Sequence, residues 1–355
     1  MSDLTPQQLN LGLSSHNNHY LFSNHYLDNI LKTSEALRPT WQQAVKHGRD
    51  LLTFLQPLYQ QERDQLPHYS ESQLEEHWFK PILTHLGHTY EGQAKIPALQ
   101  QRGVKFPDYV FFPDEATRQA AVTAQKSDTY TNDALALGEV KRWDISLDRK
   151  LKSGKVSFDD NNPMYQIDYY LRATGLTWGI LSNGRVWRLV HKESSYKLDV
   201  YFELDLEQAL LQADTASGQA IAAFFVLFFQ QASFLPDDKG RIFLNDALTA
   251  STRYAQELEE DLRDNAYRAL EHLIQGFIEP SANNLTAEDL PQIYTSSLYL
   301  LYRIIFLFYG ERRGLLPMSN PAYAERSLTK LAQDIADQFD KGRTYPPTGK
   351  WLWPR

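Results

Sequence analysis

Ala134-Leu135-Ala136-Leu137-Gly138-Glu139-Val140-Lys141 decides how this 355-residue chain is read. The run opens apolar and closes on an acid and a lysine two residues apart. In an extended strand successive side chains alternate between faces, so Glu139 and Lys141 project from the same side. Upstream, Val104-Lys105-Phe106-Pro107-Asp108-Tyr109-Val110-Phe111-Phe112 is rich in β-formers and sets Asp108 at the head of a second strand.

Divalent-metal cleavage of phosphodiesters needs carboxylates that converge on the ion and a cation near the attacking water. The pattern PD…(D/E)xK supplies both from two neighbouring strands. Short motifs recur by chance, and here Pro-Asp also occurs at 113–114 and 236–237. The tripeptide recurs at Asp148-Arg149-Lys150 and Asp237-Asp238-Lys239. Context separates them. Asp114 precedes Glu-Ala-Thr-Arg and reads as a helix cap. Asp148–Lys150 lies in a charged segment and Asp237–Lys239 in a loop between helices. Only Asp108 with Glu139 and Lys141 has strands on both sides, and the long gap between them holds a helical insert near 116–126. On the tripeptide alone, Glu139 and Lys141 read mainly as strand-end charges, and the strand setting brings the two readings level.

Outward from this core, residues 71–86 read as a helix capped by Ser70, with Leu74, Trp78, Phe79, Ile82 and Leu83 at helical spacing and a stop at Gly87. Strands are expected near 89–96, 104–112, 134–141, 178–182, 185–190 and 201–204, with a helix over 163–173. Asn183-Gly184 is a hairpin signal between two of them. Residues 1–70 read as helical, as do segments 206–213, 218–232, 246–276, 291–313 and 324–340. Three regions follow: N-terminal helices over 1–70, an α/β (α+β) domain with a mixed central sheet over 71–206, and an all-helical region over 207–355.

Composition narrows the function classes. Hydrophobic residues make up 42% of the chain, enough for a sizeable core and too many for a disordered one. No cysteine is present, so disulfides, thiolate zinc sites, iron–sulfur clusters and cysteine nucleophiles are excluded. The net charge of −8 argues against coating nucleic acid through bulk positive charge but leaves room for a local basic groove. The start lacks a signal-peptide pattern, and the longest apolar runs, 220–229 and 298–309, are short for a bilayer. A cytoplasmic protein without membrane attachment is expected. The histidine groups (16, 19 and 25; 85 and 88) are short of a zinc ligand set and read as surface or core residues. No Gly-x-Ser-x-Gly elbow or phosphate-binding Gly-x-x-x-x-Gly-Lys-Ser/Thr loop occurs.

Gly138-Glu139-Val140-Lys141-Arg142-Trp143-Asp144 with Leu147-Asp148 resembles the nuclease motif of Type IIG restriction–modification enzymes. So do Asn162-Pro163-Met164-Tyr165-Gln166-Ile167-Asp168-Tyr169-Tyr170-Leu171 and Trp178–Leu189. The motor subunits of Type I enzymes carry a similar domain. Leu301–Pro317 resembles the helical connector that precedes the methyltransferase in these fusions. The resemblance covers residues 20–355 and is most specific at 138–189. It implies a restriction-endonuclease-like PD-(D/E)xK core, in which Asp108 and Glu139 hold Mg²⁺ and Lys141 orients or activates the water. Gln166 and Tyr170 match a Gln-x-x-x-Tyr element beside the active site, although Tyr170 reads nearly as well as core. An acid of the first helix often completes such a site. Glu71, Glu75 and Glu76 are candidates, with Glu75 preferred because it shares a face with Phe79 and Ile82; a solvated face is the competing reading.

The same resemblance implies double-stranded DNA as partner and 5′-phosphate products. Arg142, Lys150, Lys152 and Lys155, with Arg149, would contact backbone phosphates or simply form a solvated charged loop. Trp143 beside them packs in the core or against DNA. The glycine-rich S-adenosylmethionine loop and the Asn-Pro-Pro-Tyr motif of the family's methyltransferase do not occur in this sequence. A separate methyltransferase or target-recognition domain or subunit, carrying S-adenosylmethionine, is therefore expected. The competing expectation is a non-catalytic scaffold that docks such a partner.

Overall fold

The computed structural model describes residues 15–93, 96, 99, 106–124, 130–148, 162–280 and 283–342. The fold is mixed α/β. Seven strands form one sheet: β1 (Asn17–His19), β2 (Thr89–Gly92), β3 (Tyr109–Phe112), β4 (Ala136–Val140), β5 (Trp178–Ser182), β6 (Val186–His191) and β7 (Tyr201–Asp205). Their order is β1-β7-β6-β5-β4-β3-β2. Only β4 and β5 are parallel; every other neighbouring pair is antiparallel. The chain divides into two compact units, Met1–Ala255 and Gln256–Arg355.

The first unit contains the sheet. Its helices include α1 (Arg38–Glu62), α2 (Glu71–Leu74), α3 (Lys80–His85), α4 (Glu115–Thr123), α5 (Pro163–Thr174), α6 (Leu206–Leu211) and α7 (Ala216–Phe229). Local chemistry sets several boundaries. Ser70 and Gln73 form a reciprocal capping box at the start of α2. Between α2 and α3 a π-helical turn, Glu75–Phe79, widens the helix immediately before Lys80-Pro81. Proline lacks an N–H and its ring crowds the carbonyl four residues back, and such a turn relieves both. Asp114 caps α4 through the Thr117 amide at 2.8 Å. Asn162 caps α5, Pro163 occupies its first position and Gly175 ends it at φ +78°.

Each face of the sheet carries its own apolar layer. On one face Tyr109, Phe111, Ala136, Val140, Trp187 and Phe202 pack with Leu74, Trp78 and Phe79 of the α2–α3 helix and with Phe224, Phe225, Phe228 and Phe229 of α7. On the other, Val110, Phe112, Leu137 and Leu181 pack with Met164, Ile167, Tyr170 and Leu171 of α5. The period of two along β3 and β4 produces this division. Helix α7 is buried on nearly every side, which is why it reads as a continuous apolar run.

Some expectations need adjustment. The N-terminal region is not wholly helical, because Asn17–His19 pairs with β7 at the sheet edge. The strand expected over 104–112 begins only at Tyr109, so Asp108 sits just before it, and Val104 and Lys105 lie outside the described residues. The strand over 89–96 ends at Gly92. The first compact unit extends across the boundaries expected at 70 and 206.

Helix Phe243–Ile278 (α8) spans the division between the units. The second unit contains α9 (Leu290–Arg312), α10 (Pro321–Ala324) and α11 (Leu328–Asp340). The single helix expected over 324–340 is interrupted, because Ser327 caps a fresh start at Leu328. Glu311 of α9 is buried and accepts the amides of Leu328 and Thr329, each at 2.8 Å, fixing the first turn of α11. Contrary to the reading from apolar runs, Ala287–Arg312 is long and apolar enough to cross a membrane by length and composition. Arg303 near its middle opposes spanning, since a charge at the bilayer centre costs about 2.5–3.5 kcal/mol or more.

Candidate functional site

Strands β3 and β4 pair with Tyr109 opposite Gly138. That register sets Asp108 beside Glu139. It is supported by Gly138 itself, where a Cβ would come within 3.0 Å of Tyr109 and Phe111. The alternation along β4 turns Leu137, Glu139 and Lys141 toward the α5 face. β4 is continued by the Lys141 amide, which donates to the Ser182 carbonyl at 2.8 Å. Asp108 Oδ2 accepts the Val140 amide at 2.7 Å. Lys141 Nζ donates to Glu139 Oε1 at 2.5 Å. The fold thus brings Asp108, Glu139 and Lys141 to the adjoining ends of two strands.

The electrostatics are those of a buried cluster with two carboxyl groups and one ammonium. Glu139 is only 4% exposed, whereas Asp108 and Lys141 remain partly open to solvent. Burial, then the charge of Glu139, pushes the Asp108 carboxyl up to about 8, against the pull of the Val140 amide and Lys141. Burial also pushes Glu139 up, with Lys141 opposing. For Lys141 burial acts downward, but attraction and hydrogen bonding to Glu139 outweigh it, so the ammonium is held protonated. The second oxygen of Glu139, Oε2, is buried with no hydrogen-bond partner. A buried carboxyl oxygen without a partner is a costly arrangement that a bound cation would relieve. The residues present therefore fit a hard cation, held by Asp108 and Glu139. Among the described residues no group of three or more His, Asp or Glu side chains is arranged to hold a metal by itself.

The first helix approaches from the opposite face. Glu75 is buried and accepts the Tyr109 hydroxyl at 2.8 Å. Burial raises its carboxyl, and Tyr109 pulls the other way. Its charge acts on Asp108, but it is Glu71 whose charge acts on both Glu139 and Lys141. These two acids lie one α-helical turn apart, so sequence spacing could not separate them. Glu76 is turned outward and pairs with Lys80.

Gln166 is buried on α5, the helix that packs on β4 and β5. Tyr170 is fully buried among Ile167 and Leu171. Arg142 is exposed and pairs with Asp144 at 2.9 Å. Trp143 is buried against Trp78, the core alternative of its two readings. Arg149, Lys150, Lys152 and Lys155 lie outside the described residues. Two residues that motif reading overlooked are Asn183, noted only for its turn, and Arg188, each buried behind the segment that follows Lys141. A buried arginine flanked by apolar strand residues is a signal, visible only as Trp187-Arg188-Leu189 in the sequence. Compared with family models, with curated proteins and with solved structures, the chain finds no match.

Proposed function

We propose that the chain is the endonuclease module of a restriction–modification, anti-phage defence system: a PD-(D/E)xK nuclease that hydrolyses double-stranded DNA with Mg²⁺. The observation that carries this reading is the pairing of β3 with β4, which sets Asp108 beside Glu139 and Lys141 at the adjoining ends of two strands. Asp108 and Glu139 would hold the ion, and Glu139 Oε2 is the oxygen left for it. When bound, Mg²⁺ supplies positive charge to a phosphodiester. Lys141, kept protonated by the two carboxylates, offers the chain's own cation to the phosphate as charge builds during attack. Gln166, buried on α5, would lie beside the site. Arg142, and the basic residues 149–155 beyond it, would meet the DNA backbone. Target recognition and methylation, with S-adenosylmethionine, would belong to a partner domain or subunit, and the setting would be cytoplasmic.

A second reading has its own support. Lys141 donates to Glu139 Oε1 at 2.5 Å, so the site's cation is engaged by one of its own carboxyls. That favours a scaffold in which the fold docks a partner without cutting. Plasmid DNA incubated with the purified chain and Mg²⁺ separates the two, alone and then with a neighbouring methyltransferase. Cutting that Asp108→Ala and Lys141→Ala both abolish supports the nuclease. No cutting under either condition by folded protein supports the scaffold.

A further inference from the structure

The chain leaving Lys141 does not continue in the sheet. Over residues 142–148 it turns across the β5–β6 hairpin, with Trp143 and Leu147 buried and Arg142, Asp144 and Asp148 exposed. Every second carbonyl of this segment is taken by a side chain of that hairpin. Asn183 Nδ2 donates to the carbonyls of Ile145 at 2.9 Å and Trp143 at 3.4 Å. The Arg188 guanidinium donates to the carbonyl of Leu147 at 3.2 Å and to Asp148 Oδ1 at 2.7 Å. Arg188 also pairs with Glu203 at 2.5 Å and lies 3.8 Å over the Tyr201 ring. The Tyr201 hydroxyl reaches Asp148 at 3.3 Å. Asn183 is 4% exposed and Arg188 2%.

We propose that Asn183 and Arg188 are positioning residues that hold the 143–147 carbonyls, fix the path of the chain leaving Lys141, and so aim the Lys141 ammonium at Glu139. This rests on the nuclease reading for its effect on cleavage. Burying a guanidinium is a poor way to gain stability, because desolvation consumes much of what its ion pairs return. What arginine adds is a rigid planar fork, with donors at fixed angles. Here the fork reaches Glu203 on one side and the segment on the other. Asn183 complements it from the turn, where its Oδ1 accepts the Val186 amide at 2.8 Å while its amide group faces the segment. Strand β4 fixes Lys141 up to its own amide. The anchored carbonyls fix the chain on the far side of that residue.

The test uses the full chain. Asn183→Asp keeps the oxygen that accepts Val186 and removes both donors to the segment. Arg188→Lys keeps charge and loses the fork. Hydrogen exchange followed by mass spectrometry reads each region separately. In both variants amides of 142–148 are expected to exchange about tenfold faster, with β5 and β6 unchanged. In the Mg²⁺ plasmid assay kcat is expected to fall about ten- to a hundredfold at an unchanged KM, the cost of a misplaced catalytic group. Unchanged exchange in 142–148, faster exchange throughout the sheet, or a raised KM at constant kcat would each overturn the proposal. Should either variant fail to fold, Asp148→Ala removes the acceptor of the Arg188 fork at a side chain that is 68% exposed, with acceleration expected at the 142–148 amides and the proposal overturned by none. A wild type that never cuts would count against the nuclease reading alone, and exchange would still decide whether the anchor exists.

Discussion

Asp108 Oδ2 accepts the backbone amide of Val140, so the carboxylate is tied to the residue that separates Glu139 from Lys141. A side-chain-to-backbone bond of this kind survives replacement by asparagine, whose Oδ1 can accept the same amide. What changes is the charge. Under the proposed nuclease function, Asp108→Asn is expected to keep the fold, to abolish Mg²⁺-dependent cleavage, and to stabilise the metal-free protein by about 1 kcal/mol, because an amide escapes the cost of burying a carboxyl beside Glu139. Millimolar Mg²⁺ should raise the melting temperature of the wild type and not of the variant. Thermal melts in chelator and in Mg²⁺ check this.

His88 predicts the acid response. Its ring is buried, packs tilted against Phe111 and bonds the Phe229 carbonyl at 2.6 Å. Burial lowers its pKa from 6.5 to about 4. Between those values the unfolded chain binds the proton and the folded chain does not, so stability falls as pH drops. At ~1.4 kcal/mol per unit, this histidine alone should account for a loss of about 3 kcal/mol between pH 7 and pH 4. Urea unfolding at a series of pH values measures it. His88→Gln should be less stable at pH 7 and show a flatter slope.

Gly184 sits at φ +87° in the β5–β6 turn, and an added Cβ would come within 3.0 Å of Trp143 and 3.1 Å of Trp78. Its carbonyl accepts both Trp78 and Trp187 indole N–H groups. Gly184→Ala is expected to cost about 2–3 kcal/mol, combining backbone strain with displaced indoles. Tryptophan fluorescence should shift in the folded state as well.

Gly48 gives a prediction whose sign opposes helix propensity. On α1 its added Cβ would lie 2.7 Å from the Ala223 nitrogen and 2.8 Å from the Ala222 carbonyl carbon, both backbone atoms of α7. Alanine gains about 1 kcal/mol as a helix former. Two helical backbones cannot give way as a side-chain tip does, so Gly48→Ala should lose about 1–2 kcal/mol net. Denaturant midpoints of the variant and wild type decide it.

Much of the secondary structure was legible in the residues because its causes are local. Ser70, Asp114 and Asn162 cap helices through amides three residues away, and Asn183-Gly184 turns a hairpin within its own few positions. The same alternation that marks β4 as a strand places Glu139 and Lys141 on one face. Tertiary structure alone decided what lies far apart in the chain. Asn17–His19 is too short to announce itself as a strand, and becomes one only by pairing with Tyr201–Glu203. Glu75 meets the Tyr109 hydroxyl while the charge of Glu71 acts on Glu139 and Lys141, a division between two acids one turn apart that spacing cannot give. Arg188 reads as an outward strand charge until Asp148, Glu203 and the Leu147 carbonyl close around it. Period and capping are written in neighbouring residues. Register, burial and the field at a site are sums over partners that only the folded chain brings together.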